Sequence, residues 1–313
     1  MAEPWIGFQF PTRKVSWLKR DVLLYNISIG CKADEPQYVY EGHKRFSAFP
    51  TLPLGLVFKL DTQEVIDFYA TQGAVKIPGV PDLDPTRLVD GDRTLQVVRP
   101  LPVTSAGRQF EFRSHVLGVW DKGKAGTVVR SEDALVDAET GDVYARNIGS
   151  LFYVGQGGWG GPRGSPADRF PPPDGLVPDV EFDLVIDQTA AHLYRLNGDY
   201  NPLHATPQYG QRMGFGGIIM HGVFAYSQIA HEFVRRLGAS DPTCLREISA
   251  RFSGPVKPGD TVNVKLWHVG AAAAPVEGDV GDYRWTAQVR GAGKLCLCDG
   301  TAQLKIDGGA SKI

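Results

Sequence analysis

Six residues, Asp199-Tyr200-Asn201-Pro202-Leu203-His204, gather a carboxylate, a carboxamide and an imidazole around one proline. Asp199 alone reads as a turn carboxylate bonding its own backbone, the common fate of Asp after Gly. His204 alone reads as a satisfied structural histidine. Together they read differently, because Pro202 restricts Asn201 to an extended conformation and fixes the path between them. A carboxylate and an imidazole on a rigid loop can share a water, one taking its proton and one positioning it. Asn201 would orient either group or the water, and partial burial would shift both pKa values. Seventeen residues after His204 comes His221-Gly222. A glycine opening a buried helix offers a free backbone N–H at the positive end of the helix dipole, the placement that stabilises an enolate oxygen forming on a carbonyl. The competing reading is that Gly222 only permits close packing. His221 reads as a packing residue whose ring bonds the preceding loop.

The elements around this loop follow from periodicity. From Gly222 to Leu237, apolar residues cover most of a helix circumference, so that helix is buried, with Arg235-Arg236 and Gly238 as its exit. Asp187 caps a short helix through Leu196, which Asn197-Gly198 stops, and Thr206-Pro207 opens another. Four alternating strands complete this half, through Ile248-Ala250-Phe252, Val262-Val264-Leu266, residues 283–289, and Ala302-Leu304-Ile306. The first half predicts helices over residues 16–26 and 62–70, then strands over 94–98, 108–119, 127–137 and 143–154. Turns at Asp121-Lys122-Gly123 and Glu139-Thr140-Gly141 separate the strands.

The layout is α+β, a helix against antiparallel strands, in two copies. Leu23-Leu24-Tyr25-Asn26-Ile27 parallels His192-Leu193-Tyr194-Arg195-Leu196, and Arg99-Pro100-Leu101-Pro102 parallels the Pro255 to Pro258 run. The polar constellation occurs once: Ser28-Ile29-Gly30 stands where the second copy has Asn197-Gly198-Asp199. Residues 1–161 thus form a first unit with a degenerate site that shapes the pocket. Residues 162–180, with six prolines, form a linker. Residues 181–306 form the catalytic unit and 307–313 a flexible tail.

Composition narrows the classes. The 313 residues are 42% hydrophobic and 22% charged with net charge −2, normal for a soluble enzyme. There is no basic block for nucleic acid, no apolar run long enough for a membrane span and no signal-peptide pattern at the start. Cys31, Cys244, Cys296 and Cys298 show no zinc spacing, and the remaining histidines are scattered, so no metal is expected. Gly155-Gln156-Gly157-Gly158-Trp159-Gly160 matches the GxGxxG pattern, but a proline-rich stretch follows where a nucleotide site requires a helix. The run reads instead as a turn for close backbone approach.

The stretch Tyr194 to His204 with His221-Gly222 resembles the motif of the hydratase 2 family, which includes MaoC-like enzymes and the hydratase region of peroxisomal multifunctional enzyme type 2. Arg20 to Tyr25, Arg99 to Pro102, Asp121-Lys122-Gly123, Val154 to Gly161, Arg251-Phe252 and Pro255 to Gly259 extend the match. The resemblance implies a double hot-dog fold, two tandem units of a long helix wrapped by an antiparallel sheet. It also implies cofactor-free, reversible syn hydration of trans-2-enoyl-CoA to (3R)-3-hydroxyacyl-CoA. Asp199 and His204 would activate water, Asn201 support them and the Gly222 N–H form the oxyanion hole. Asp90, Gly91, Lys122, Gly198, Tyr200 and Phe252 fall at or beside positions contacting CoA or acyl chain. Asp90 departs from the family, where histidine is common, and a carboxylate there would repel phosphates. Asn197 replaces Ser or Thr, and Gly216-Gly217-Ile218 lacks a usual proline. Other readings are a dehydratase on a polyketide-like or branched thioester, and a non-catalytic acyl-CoA binding module. Ser311-Lys312-Ile313 resembles a peroxisomal import signal, giving an expected import receptor and peroxisomal location, with the cytoplasm as alternative. A homodimer is possible but not required of two fused units.

Overall fold

The computed structural model describes residues 3–68, 75–165, 167–270 and 280–305. The alternating segments become ten strands. The first half supplies β1 (Arg13–Val15), β2 (Leu88–Val97), β3 (Phe110–Asp121), β4 (Gly126–Asp137) and β5 (Val143–Val154). The second supplies β6 (Val180–Val185), β7 (Leu245–Phe252), β8 (Thr261–His268), β9 (Val280–Val289) and β10 (Leu295–Lys305). All pair antiparallel in one sheet ordered β1-β3-β4-β5-β2-β7-β10-β9-β8-β6. Counted inward from either edge, the halves have the same order, so the weak sequence repeat is a repeat of topology. The halves meet where β2 pairs β7, with Arg93 opposite Ala250 and Leu95 opposite Ile248. That pairing removes two edges that separate sheets would leave open.

The helices are α1 (Lys19–Ser28), α2 (Pro36–Val39), α3 (Pro53–Lys59), α4 (Ala190–Tyr194), α5 (Pro207–Arg212) and α6 (Gly222–Leu237). As the apolar pattern predicts, α6 is buried along nearly its whole length. Among the described residues the first half has no helix of that length. Its α3 has seven residues, starting at Pro53 and stopped after Lys59 by Leu60, whose φ of 54° lies in the left-handed region that leucine rarely adopts. Residues 62–68 are irregular rather than helical, and residues 69 and 70 lie outside the described set. The first predicted helix also starts late. Asp21 accepts the Leu18 backbone N–H at 2.8 Å, so α1 begins at Lys19. Strand β2 begins at Leu88, six residues before the predicted start.

Core side chains come from both halves, including fully buried Trp17, Tyr25, Phe224, Phe233 and Trp285. Polar contacts also bind the halves within it. The Tyr25 hydroxyl lies 3.0 Å from Ser227 Oγ. Glu35 meets the His231 ring at 2.8 Å and accepts the Ser240 hydroxyl at 2.8 Å. The glycine run after β5 is a clamp, as its composition suggests. The Asp121 carboxylate accepts the N–H groups of Gly123, Gly158 and Gly160 at 2.8, 2.6 and 2.9 Å. A side chain on Gly157 would lie 2.2 Å from the Gly123 carbonyl, so only glycine fits there.

Candidate active site

The loop between α4 and α5 is shaped by its own side chains. Gly198, at φ 120°, ends a 3-10 turn over Arg195–Asn197 and lies so close to the Lys59 backbone that a Cβ would sit 2.5 Å from it. Asp199 Oδ1 accepts the Asn201 N–H at 3.2 Å, and Asn201 Oδ1 accepts the Leu203 N–H at 3.0 Å. Those bonds and Pro202 start a second 3-10 turn, Pro202–His204. The carboxamide oxygen of Asn201 is thereby engaged, leaving its NH2 as the group it offers to the cavity.

His204 is 8% exposed and its Nδ1 lies 2.8 Å from the Ile219 carbonyl oxygen. A carbonyl only accepts, so Nδ1 carries the proton and Nε2 of the neutral ring is a base. His221 stacks on it with ring centroids 3.7 Å apart. The His221 Nε2 donates to the Asp199 carbonyl at 3.1 Å and lies 3.8 Å from Asp199 Oδ2. His221 does bond the preceding loop, as its position suggests, and it also forms the wall behind His204. Asp199, His204 and His221 each present a ligand atom within 4.8 Å of the others, a set that sequence spacing did not reveal and that could hold a cation.

Burial sets the charge states. It pushes the Asp199 carboxyl up to about 7, the neighbouring Asp90 adding to the rise, while the Asn201 N–H and the Arg93 charge oppose it. Burial likewise pushes His204 down to about 4. Near neutrality the pair is therefore a neutral imidazole beside a carboxyl that is close to half protonated.

Both residues open into a cavity of about 950 Å3. Gly222 lies on its wall as the first residue of α6, so its N–H is one of the donors left without an intrahelical acceptor. A Cβ on Gly222 would meet the Phe252 ring at 2.9 Å, so the packing reading of this glycine holds together with the electrostatic one. Because α3 is short, the cavity continues under the first-half sheet, past Val57, Leu60, Leu88, Val129 and Leu151.

The structure brings Asp199, His204, Asn201, Gly222, Asp90 and Phe252 to this one cavity. It does not bring the other four. Lys122 donates to the Arg163 carbonyl and lies 5.8 Å from the centre of the Trp120 ring. Gly91 sits in a bulge of β2 against the Ser150 carbonyl, and Gly198 packs on Lys59. Tyr200 faces the Arg195 guanidinium at 5.1 Å. Asp90 is held by Arg93, Oδ1 to Nη2 at 2.7 Å, rather than standing as a free negative charge. Arg93 itself was missed, because a lone arginine in a strand gives no sign of which face it occupies.

Comparison with known proteins agrees with this geometry. Residues 16–155 match the MFE-2 hydratase 2 N-terminal domain and residues 171–283 the MaoC like domain. The chain is 42% identical over 96% of its length to the probable dehydratase NIT22 of Ajellomyces capsulatus, covering 81% of that protein. The chain belongs to the hydratase 2 and MaoC-like family. It is also 32% identical, over 80% of its length and 81% of the other, to a probable enoyl-CoA hydratase 2 of Dictyostelium discoideum. Identity is 30% over 95% of the chain, but 31% of the relative, to the peroxisomal hydratase-dehydrogenase-epimerase of Neurospora crassa. Among solved structures, the MaoC-like dehydratase of Phytophthora capsici superposes with a TM-score of 0.81 at 27% identity, covering 96% of this chain and 97% of that one. The fold is the double hot-dog of these hydratase 2 relatives, and their names support a hydro-lyase.

Proposed function

We propose that the chain catalyses the reversible syn hydration of a trans-2-enoyl-CoA to a (3R)-3-hydroxyacyl-CoA without a cofactor. The observation that carries the reading is the placement of Asp199, His204 and the first N–H of α6 around one cavity that continues under the first-half sheet among mostly apolar side chains. In the hydration direction, His204 Nε2 takes a proton from water as the oxygen bonds the β carbon. The Gly222 N–H receives the charge developing on the thioester oxygen. Protonated Asp199 then delivers its proton to the α carbon, and the imidazolium returns a proton to the carboxylate directly or through water. Water is consumed and both groups act from the same side, which gives syn addition.

No helix among the described residues is long and apolar enough to cross a membrane. Peroxisomal import through Ser311-Lys312-Ile313 is part of the proposal, supported by the printed name of the Neurospora relative. A biosynthetic dehydratase is the second reading, favoured by the name of the Ajellomyces relative. The test is the loss of enoyl-thioester absorbance with chiral analysis of product, repeated after dialysis against a chelator. Equal turnover before and after dialysis is expected. Binding of enoyl-CoA without turnover would leave only a binding module.

A further inference from the structure

The first-half end of the cavity is not a plain hydrocarbon sleeve. On the face that lines it, three consecutive rows cross the strands, since directly paired residues share a face and rows two residues apart stay on it. One row is Val129–Leu151–Asp90, the next Ser131–Gly149–Arg93, and the third Ser114–Asp133–Asn147. Arg13 of β1, opposite Phe112 in the row beyond, reaches the third row with Nη2 2.9 Å from Asp133 Oδ1, which also accepts the Ser114 hydroxyl at 2.5 Å. Arg13, Ser114, Ser131, Asp133, Asp90 and Arg93 all line the cavity among apolar neighbours.

Two of these groups are incompletely satisfied. The Arg93 side chain is 10% exposed and spends one guanidinium nitrogen on Asp90, while its Nε has no acceptor among the described residues. Asn147, 2% exposed and outside the cavity lining, donates to Asp133 at 3.5 Å, and its Oδ1 has no donor among the described residues. A buried polar atom without a partner costs about 1–3 kcal/mol, and of these two residues Arg93 lines the cavity, where its guanidinium is a group that a ligand can meet. An alkyl chain offers it nothing.

Resting on the acyl-thioester reading of the cavity, we infer that this end is a subsite for a neutral oxygen, a hydroxyl or oxo group, carried on the acyl chain beyond the reacting carbons. Charge decides against a carboxylate. Two guanidiniums, Arg13 and Arg93, already face two carboxylates, Asp133 and Asp90. A further anion would be buried without a cation of its own, whereas a dipole needs only the Arg93 N–H and leaves the balance intact.

The test is a panel of trans-2-enoyl-CoA thioesters of equal length: plain, with one hydroxyl or oxo group at successive positions from the sixth carbon outward, and with a terminal carboxyl. At one position or more, kcat/KM should exceed that of the plain chain by about tenfold, the effect of one hydrogen bond to a charged group. The terminal acid should fall below the plain chain. In Arg93→Lys, which keeps a cation for Asp90 but loses the forked guanidinium, the oxygenated-to-plain ratio should collapse towards one. Arg93 also influences Asp199, so the ratio is the readout rather than the absolute rate. Ser131→Ala supplies the same readout should Arg93→Lys fail to fold. Turnover of the plain chain with no preference at any position, or a ratio unmoved in the variants, overturns the subsite and leaves the hydratase reading standing. Failure to turn over any thioester overturns both.

Discussion

Asp199 and His204 are neutral for most of the range between their folded values, about 4 for His204 and about 7 for Asp199. Hydration that uses a neutral imidazole as base and a protonated carboxyl as acid is supported between those values and declines above the upper one. We therefore predict kcat/KM for hydration to be level through mild acid and to fall with a midpoint near pH 7. A rate that instead rises through pH 7 would make Asp199 the base. Removing either group should cost about 10²–10⁴ in kcat, the usual worth of a positioned acid or base. Gly222→Ala drives a methyl into the Phe252 ring at 2.9 Å, so about 1–3 kcal/mol of stability should be lost with the activity. Calorimetry of that variant checks the first part. An unchanged melting temperature would show that the ring yields freely.

The contact between the α1–α2 connection and α6 is where the two halves depend on each other. His231 is buried against Glu35 at 2.8 Å, and Ser240 completes the carboxylate. Burial alone would raise the Glu35 carboxyl, but these partners hold it down to about 2. A folded value below the ordinary one means that the stability this group contributes is complete above the usual carboxylate range. It drains away as pH falls from there towards 2. His231→Ala leaves that carboxylate buried and unpaired and should cost about 3–5 kcal/mol, read as a lower denaturant midpoint that improves in Glu35→Gln/His231→Ala. Elements with a regular pattern were legible in the sequence: α6 and β5 lie where predicted, and β3 and β4 to within two residues. Strand β2 was foreshortened because Leu88-Val89-Asp90-Gly91-Asp92 is half-buried throughout and bulged, so no alternation marks it. Residues 62–70 are predicted to be helical, yet 62–68 are irregular and Ile66 and Phe68 line the cavity. Their spacing reflects a wall rather than a helix.

Across the whole molecule, in the proposed reading, one half carries the reacting groups and the other the room for the acyl chain. The loop proposed to handle water was legible because its polar groups lie within six residues. The polar floor was not, since Arg13, Ser114 and Asp133 are far apart in sequence and meet only through strand register. Family resemblance alone also placed Lys122 and Tyr200 at the site, whereas Lys122 donates to the Arg163 carbonyl, the Tyr200 ring faces Arg195, and neither lines the cavity. Shared space has a testable consequence. Val129 lies on the first-half wall at 4% exposure. Val129→Trp should lower kcat/KM for a ten-carbon enoyl-CoA at least about tenfold relative to the four-carbon substrate, about the 1–3 kcal/mol cost of overfilling a packed site. Equal losses for both lengths would mean the chain runs elsewhere. The most direct measurement is turnover of trans-2-decenoyl-CoA by the native chain, Asp199→Asn and His204→Ala, with chiral analysis of product and a melting curve for each. The account predicts the (3R) alcohol from the native chain, at least about a hundredfold loss in both variants and little change in melting. A (3S) product, or hydration retained in either variant, would contradict it.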